Sequence, residues 1–202
     1  MKYKKVFIYF KNCEKNRFYR TLLAKSDLNL LNFGCAIVTA FGGSLEHYFL
    51  FKDVEEYLSK VLLRYKQGKI VDDYCIDDLS DKFEFVYDLK SKWKFKCEIV
   101  EELEHISNKD VLLLDGKGQG IWEDRLHTFL AYLAGKLNPN SLEENEEEKY
   151  FKPWNKRLSK YSDFETAYNL EDEQDLFPSS YACDVEMYKA QIDRTFGICR
   201  YA

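Results

Sequence analysis

Proline and glycine are scarce in this chain of 202 residues, at 3 and 9 copies. So few chain breakers exclude a fibrous repeat or a flexible linker as the main body. No apolar run approaches the roughly 20 residues of a membrane helix, so no span is expected. The N-terminus, Met1-Lys2-Tyr3-Lys4-Lys5-Val6, is a charged lead into a strand and lacks the apolar stretch of a signal peptide. A cytoplasmic location and no membrane partner are expected. The six cysteines, Cys13, Cys35, Cys75, Cys97, Cys183 and Cys199, are scattered and form no C-x-x-C pair. Zinc-ligand spacing is missing, and the cysteines read as single thiols of a reducing compartment. Histidine is limited to His47, His105 and His127, none of them in an H-E-x-x-H arrangement. Basic charge is not in excess either, with 30 Lys and Arg against 35 Asp and Glu and a net charge of -5. That argues against a general nucleic-acid coat and leaves only a local basic patch open.

Aromatic residues are abundant, at 16% with 15 Phe and 15 Tyr. Such side chains favour half-buried sheet surfaces. A chain of this size buries about 70% of its unfolded surface, enough for a core without disulfide staples.

Lys4 to Phe10 reads as a strand, and Phe18 to Ala24 as the return arm of a hairpin. Asn29 is a helix N-cap, followed by Leu30, Leu31, Gly34, Ile37, Val38 and Phe41 at helical spacing and a stop at Gly42-Gly43. Glu46 to Lys52 reads as a third strand, Val54 to Tyr65 has helical character, and Lys66 to Asp81 is a polar connection. The clearest pattern lies between Phe83 and Ile99. Phe83, Phe85 and Tyr87 alternate with Glu84, Val86 and Asp88, and after Leu89-Lys90-Ser91-Lys92 the alternation resumes at Trp93, Phe95, Cys97 and Ile99. Period two over this length predicts an antiparallel hairpin with one buried face. Val111 to Leu114 is a short strand running into a flexible loop, Asp115-Gly116-Lys117-Gly118-Gln119-Gly120. A helix is expected from about Glu123 to Lys136, ended by Leu137-Asn138-Pro139. Glu143 to Glu148 is an acidic run that opens a helical C-terminal extension. The expected division is therefore a domain over 1–140 and an acidic linker with helical extension over 141–202.

Four stretches carry a family resemblance. They are Phe18-Tyr19-Arg20-Thr21, then Leu28 to Gly43 with His47-Tyr48-Phe49, then Phe85 to Leu89 with Trp93-Lys94-Phe95, then Gly116 to Gly120 with Glu123-Asp124 and Pro139. In order and spacing they resemble the plasmid open-reading-frame-three-like family, which also includes passenger proteins of insertion elements. The resemblance covers about residues 1 to 140. It departs at the hairpin turn, where Lys90 and Ser91 replace the usual Gly and Asp, and in the loop, where Gln119, Ile121 and Trp122 stand in place of cysteines and a double Pro. The resemblance implies a fold and a mobile-element context. It implies no settled activity, and a context of that kind is not a mechanism.

The residues themselves offer three sites. Glycines at Gly116 to Gly120 let backbone N–H groups approach an anion, although the loop is neither a Walker motif nor G-x-G-x-x-G and reads first as a turn. An acidic set, Asp88, Asp115, Glu123 and Asp124 with His47, has the oxygen chemistry for Mg²⁺ or Mn²⁺ and hence for metal-assisted hydrolysis. Solvated acids and helix caps are the bland alternative. A basic and aromatic patch of Arg17, Tyr19, Arg20, Lys90, Lys92, Trp93, Lys94 and Lys96 suits nucleic acid, against the ordinary reading of core rings and solubilising lysines. Arg20, His47, Tyr87, Asp88, Trp93, Gly116, Lys117 and Gly118 are the candidate ligand-binding residues.

The expected fold is α+β: a mixed or antiparallel sheet with an amphipathic helix on one face, opening in a β-grasp-like order, and a helical C-terminal extension. The leading expectation for function is a non-enzymatic module binding protein or peptide. A nucleic-acid accessory protein and a metal-assisted hydrolase are the alternatives. No cofactor is expected beyond a divalent metal at the acidic set.

Overall fold

The computed structural model describes residues 1–43, 45–60, 62–64, 66–104, 109–118, 120–121 and 126–134. The chain divides into two compact units, residues 1–126 with 181–202, and residues 127–180. The expected domain boundary near residue 140 and the expected C-terminal extension lie outside the described residues, as do Glu123 and Asp124.

Among the described residues the first unit is built on one mixed sheet of eight strands. They are β1 (Lys2–Phe10), β2 (Tyr19–Lys25), β3 (Phe49–Lys52), β4 (Glu56–Leu58), β5 (Lys69–Ile70), β6 (Lys82–Tyr87), β7 (Trp93–Glu104) and β8 (Val111–Lys117). Their spatial order is β5-β4-β3-β6-β7-β1-β2-β8. The β4–β5 pair is parallel and the others are antiparallel. The opening order of hairpin, helix and strand is present. After the helix, β3 joins beside β6 rather than beside the first hairpin.

Helix α1 (Leu30–Ala40) starts where Asn29 accepts a hydrogen bond from the Asn32 N–H at 2.8 Å. It ends where the N–H groups of Gly42 and Gly43 donate back to Thr39 and Val38 carbonyls. Its buried stripe covers one face of the sheet. The register aligns Phe51, Phe85, Phe95 and Phe10 as a row across β3, β6, β7 and β1. All four are fully buried. Phe33 of α1 stacks on Phe51 at 5.9 Å, and Phe41, just past its end, meets Phe95 at 4.5 Å. Each such ring contributes about 1.5–3 kcal/mol by burial. The alternation between Phe83 and Cys97 thus places its rings on the inward side, as the pattern predicts.

Two expectations are corrected. Val54 to Tyr65 is not a helix: it holds β4 and a 3-10 turn at Leu62–Arg64. Leu58, Leu62 and Leu63 pack with Leu50, Val86 and Leu89. Leu50 and Val86 lie on the opposite side of their strands from the phenylalanine row, so this is a small second core on the other face. Asp115, Gly116 and Lys117 are not loop residues but the last rungs of β8, paired with Thr21, Arg20 and Tyr19. Helix α2 (Leu126–Leu133) falls within the expected helix. Among the described residues no helix is long and apolar enough to cross a membrane.

Candidate functional site

The β6–β7 turn is set by Asp88. Its backbone is left-handed, with φ 51°, and so is that of Lys92, with φ 63°. A short carboxylate tolerates this conformation because it can hydrogen-bond locally. Asp88 Oδ1 accepts from the N–H groups of Lys90 at 3.0 Å and Ser91 at 3.3 Å. The Asp88 N–H donates to the Tyr48 carbonyl at 3.1 Å, which ties the turn to the segment before β3. Asp88 is only 1% exposed. Burial alone pushes its carboxyl up, but hydrogen bonds from the Ser91 side chain and from the Ser91 and Lys90 backbone, with His47 nearby, hold it below the usual range.

His47, Tyr87 and Trp93 gather around this turn. The His47 ring meets Tyr87 edge-on at 5.8 Å, and His47 Nδ1 lies 4.0 Å from Asp88 Oδ1. Tyr87 and Trp93 are the closing pair of the hairpin and are fully buried. Four predicted residues therefore meet at one end of the sheet.

The other four meet at the same end, across the sheet. Arg20 is fully buried. Its guanidinium donates to the carbonyls of Ala40 at 2.6 Å, Tyr19 and Lys117 at 2.7 Å, and Gly118 at 3.0 Å. Its flat faces lie over Phe41 at 4.7 Å and Phe18 at 5.6 Å. Gly116 pairs with Arg20, and Gly118 has φ 85°. A Cβ at Gly118 would come within 2.4 Å of the Phe18 ring, so glycine is needed for both conformation and space. Here carbonyls, not N–H groups, surround a cation that belongs to the chain itself. Arg20 joins the end of α1, the start of β2 and the end of β8. A run of rings, Trp93 to Phe10 at 5.4 Å, Phe10 to Phe18 at 5.8 Å and Phe18 to Phe41 at 5.2 Å, links this junction to the hairpin turn.

Of the described members of the acidic set, His47 and Asp88 lie together and Asp115 stands apart. Asp115 sits on β8, exposed, and accepts from the Tyr19 hydroxyl at 2.9 Å. Asp88 follows β6, four strand positions away, roughly 19 Å at about 4.8 Å per strand. Among the described residues no three His, Cys, Asp or Glu side chains are grouped to hold a metal ion.

The basic and aromatic patch divides. Arg20 and Trp93 face inward and offer neither charge nor ring to a partner. Lys90, Lys92 and Lys96 are exposed and Lys94 is half-buried. Two residues missed by the sequence reading, Phe7 and Tyr9, lie beside Tyr19 of that patch. Phe7 and Tyr9 sit on the face opposite α1, in ring contact at 5.7 Å, and Tyr19 is 5.1 Å from Phe7. Period two in β1 marks Phe7 and Tyr9 as one face, but only the pairing with β2 adds Tyr19.

The model of the family described as plasmid pRiA4b ORF-3-like protein matches residues 6–170. The chain belongs to this family. The match spans the hairpin turn, the Arg20 junction and both helices. No curated protein matches the chain. A crystal structure of a protein of unknown function from Methanosarcina mazei Go1 is similar in fold, with a TM-score of 0.59 and 14% identity over 73% of this chain and 86% of that one. The pRiA4b ORF-3-like fold thus recurs at an identity where only the architecture is shared.

Proposed function

We propose that this pRiA4b ORF-3-like chain is a non-enzymatic binding module whose working surface is the basic end of its sheet and whose partner is a polyanion. An acidic protein or peptide segment and a nucleic acid both satisfy that chemistry. One observation carries the reading. Lys4, Lys5, Lys11, Lys15 and Lys25 all have carboxylate partners. Lys90, Lys92, Lys94, Lys96 and Lys117 have none among the described residues, and they cluster at the end where β6, β7, β1, β2 and β8 finish or turn.

The turn supports this reading through its stiffness. Asp88 holds it by two backbone hydrogen bonds, so the lysines start from fixed backbone positions and less freedom is lost on binding. The roles of Asp88 and Arg20 are then positional: one shapes the turn, the other locks the strand ends. The hydrolytic alternative receives less support, since Asp88 and Asp115 belong to different strand ends and each carboxylate is engaged within its own turn or strand pair. The family name supplies the link to plasmids, and an intracellular partner carried by a mobile element fits it.

The test is fluorescence anisotropy at low salt with a labelled poly-glutamate peptide and a labelled oligonucleotide. Binding to one or both is expected, weakening steeply as salt rises. Joint reversal of Lys90, Lys92, Lys94 and Lys96 to Glu is expected to lower affinity by about tenfold or more. Lys60→Glu, at an exposed lysine outside the unpaired cluster and paired with Asp72, is expected to leave it unchanged. No binding of either probe at micromolar protein, or an equal loss in the Lys60 control, removes the reading.

A further inference from the structure

Cross-strand register places Glu84, Lys96, Tyr9, Tyr19 and Lys117 in one row over β6, β7, β1, β2 and β8. These residues alternate with Phe85, Phe95, Phe10 and Arg20, so their side chains lie on the face away from α1. The next row on that face contains Glu98, Phe7, Thr21 and Asp115. Phe7, Tyr9 and Tyr19 are half-buried and stand together in the middle of this face. Lys94 and Lys96 lie on β7 to one side of them and Lys117 on β8 to the other.

We infer that this face binds single-stranded nucleic acid, with bases stacking on Phe7, Tyr9 and Tyr19 and the backbone phosphates meeting Lys94, Lys96 and Lys117. The inference rests on the polyanion reading and names which polyanion. A carboxylate-rich peptide needs only the cations. The central rings, tilted by 39° and 32° to one another, add aromatic faces that match bases and have no use for a glutamate. Stacking of this kind tolerates any base, because each has a π-face. A duplex hides those faces, which makes a single strand the fitting form. From β7 to β8 is three strand steps, about 14 Å, the width over which other open sheets stack two or three bases.

Two of the three carboxylates on this face are neutralised by lysines, and Asp115 stands at its β8 edge. Glu84 is paired with Lys11, Glu98 with Lys15, and Asp115 accepts from Tyr19. Lys15 is the chain's own occupant of the ring surface. Its ammonium lies 5.2 Å from the Phe7 centroid and 5.1 Å from that of Tyr9, and 2.6 Å from Glu98. Exposed pairs of this kind are weak. An incoming base would take the ring faces and displace the Lys15 stem from them, its ammonium staying on Glu98.

The experiment is anisotropy titration of the full chain with labelled oligothymidylate and oligouridylate of about twelve nucleotides, spanning the usual site size. A duplex of the same length and a poly-glutamate peptide serve as the other arms. Single strands are expected to bind more tightly than the duplex. Tyr9→Ala is expected to weaken single-strand binding by about tenfold while leaving peptide binding unchanged, its folding checked by circular dichroism. Because Tyr9→Ala can perturb the sheet, Lys96→Gln with Lys117→Gln is the second variant. It is expected to flatten the salt dependence by about 0.7 per lysine. The two strands differ in the 2′-hydroxyl and in the base methyl, and a preference between them supports the inference either way. Three results overturn it: duplex bound as tightly as single strand, Tyr9→Ala without effect on a folded protein, or binding of the peptide alone. In that last case the polyanion reading survives and this one does not; if no probe binds, both fail.

Discussion

The two faces of the sheet use the same strands for opposite purposes. Along β6, β7 and β1, one set of residues forms the buried row Phe85–Phe95–Phe10, and the neighbouring set forms the row Glu84–Lys96–Tyr9. A shift of one residue exchanges the two. The comparison is sharpest for cations. Arg20 points inward and is fully buried, while Lys96, two strands away, points outward and is exposed. Inside, the charge is fixed by carbonyls of three segments; outside, it is left to solvent. Arg20→Met should break the inner arrangement. It keeps much of the volume but leaves the carbonyls of Ala40, Tyr19, Lys117 and Gly118 without their donor. Urea denaturation is expected to show a loss of about 3–5 kcal/mol, against less than about 0.5 kcal/mol for Lys96→Met. A small loss for Arg20→Met would mean that water enters the junction and that the carbonyls do not need the guanidinium.

The same contrast holds for two carboxylates. Asp88 is buried and shapes its turn, whereas Asp115 is exposed on the edge strand. Asp88→Asn keeps an oxygen at Oδ1 but removes the charge that strengthens its hydrogen bonds, an expected loss of about 1 kcal/mol at neutral pH. Asp115→Asn is expected to change stability by less than about 0.5 kcal/mol. The pH dependence follows from the direction of the Asp88 shift. Its folded carboxyl titrates below the unfolded value of about 3.9. Its stabilising contribution is therefore complete above that value and is lost as pH falls through the lower folded one. Urea midpoints measured from neutral pH into the acid range should show wild type converging on Asp88→Asn. A constant gap between them would show that the ionised form is not what holds the turn.

Much of this fold is legible where the determinants are local. The alternation from Phe83 to Cys97 declares its buried face, and Asn29 with Gly42-Gly43 brackets α1 to within a residue. Segment 54–65 reads as helix because Leu58, Leu62 and Leu63 fall at helical spacing, yet their packing partners are Leu50 and Val86 of β3 and β6, which no local pattern names. Gly116 suggests a loop, but the partner strand β2 keeps it in the ladder. Arg20 looks like a surface residue because its partners are main-chain carbonyls far away in sequence. The row Lys96–Tyr9–Tyr19–Lys117 is equally hidden: it exists only once the register among β7, β1, β2 and β8 is known. His47, Tyr87, Asp88 and Trp93 were within reach, since three of them flank one hairpin turn.

The finest comparison lies within that turn, between its two left-handed residues. Asp88 compensates for φ 51° with side-chain hydrogen bonds to the backbone. Lys92, at φ 63°, makes no such bond among the described residues, although its N–H donates to the Asp88 carbonyl at 2.5 Å. The left-handed conformation costs a residue with a Cβ about 1–2 kcal/mol, while glycine gives back roughly 0.5–1 kcal/mol through its freer unfolded chain. Lys92→Gly should therefore stabilise the protein by about 0.5 kcal/mol, a small rise in the urea midpoint at unchanged slope. The same substitution removes one cation from the proposed binding surface, so polyanion affinity should fall slightly while stability rises. Opposite signs in the two measurements would show that Lys92 is kept for what its charge does outside the fold. If the midpoint fell instead, the turn would be relaxed as it stands, and the lysine's strain could not be counted as evidence of a role in binding.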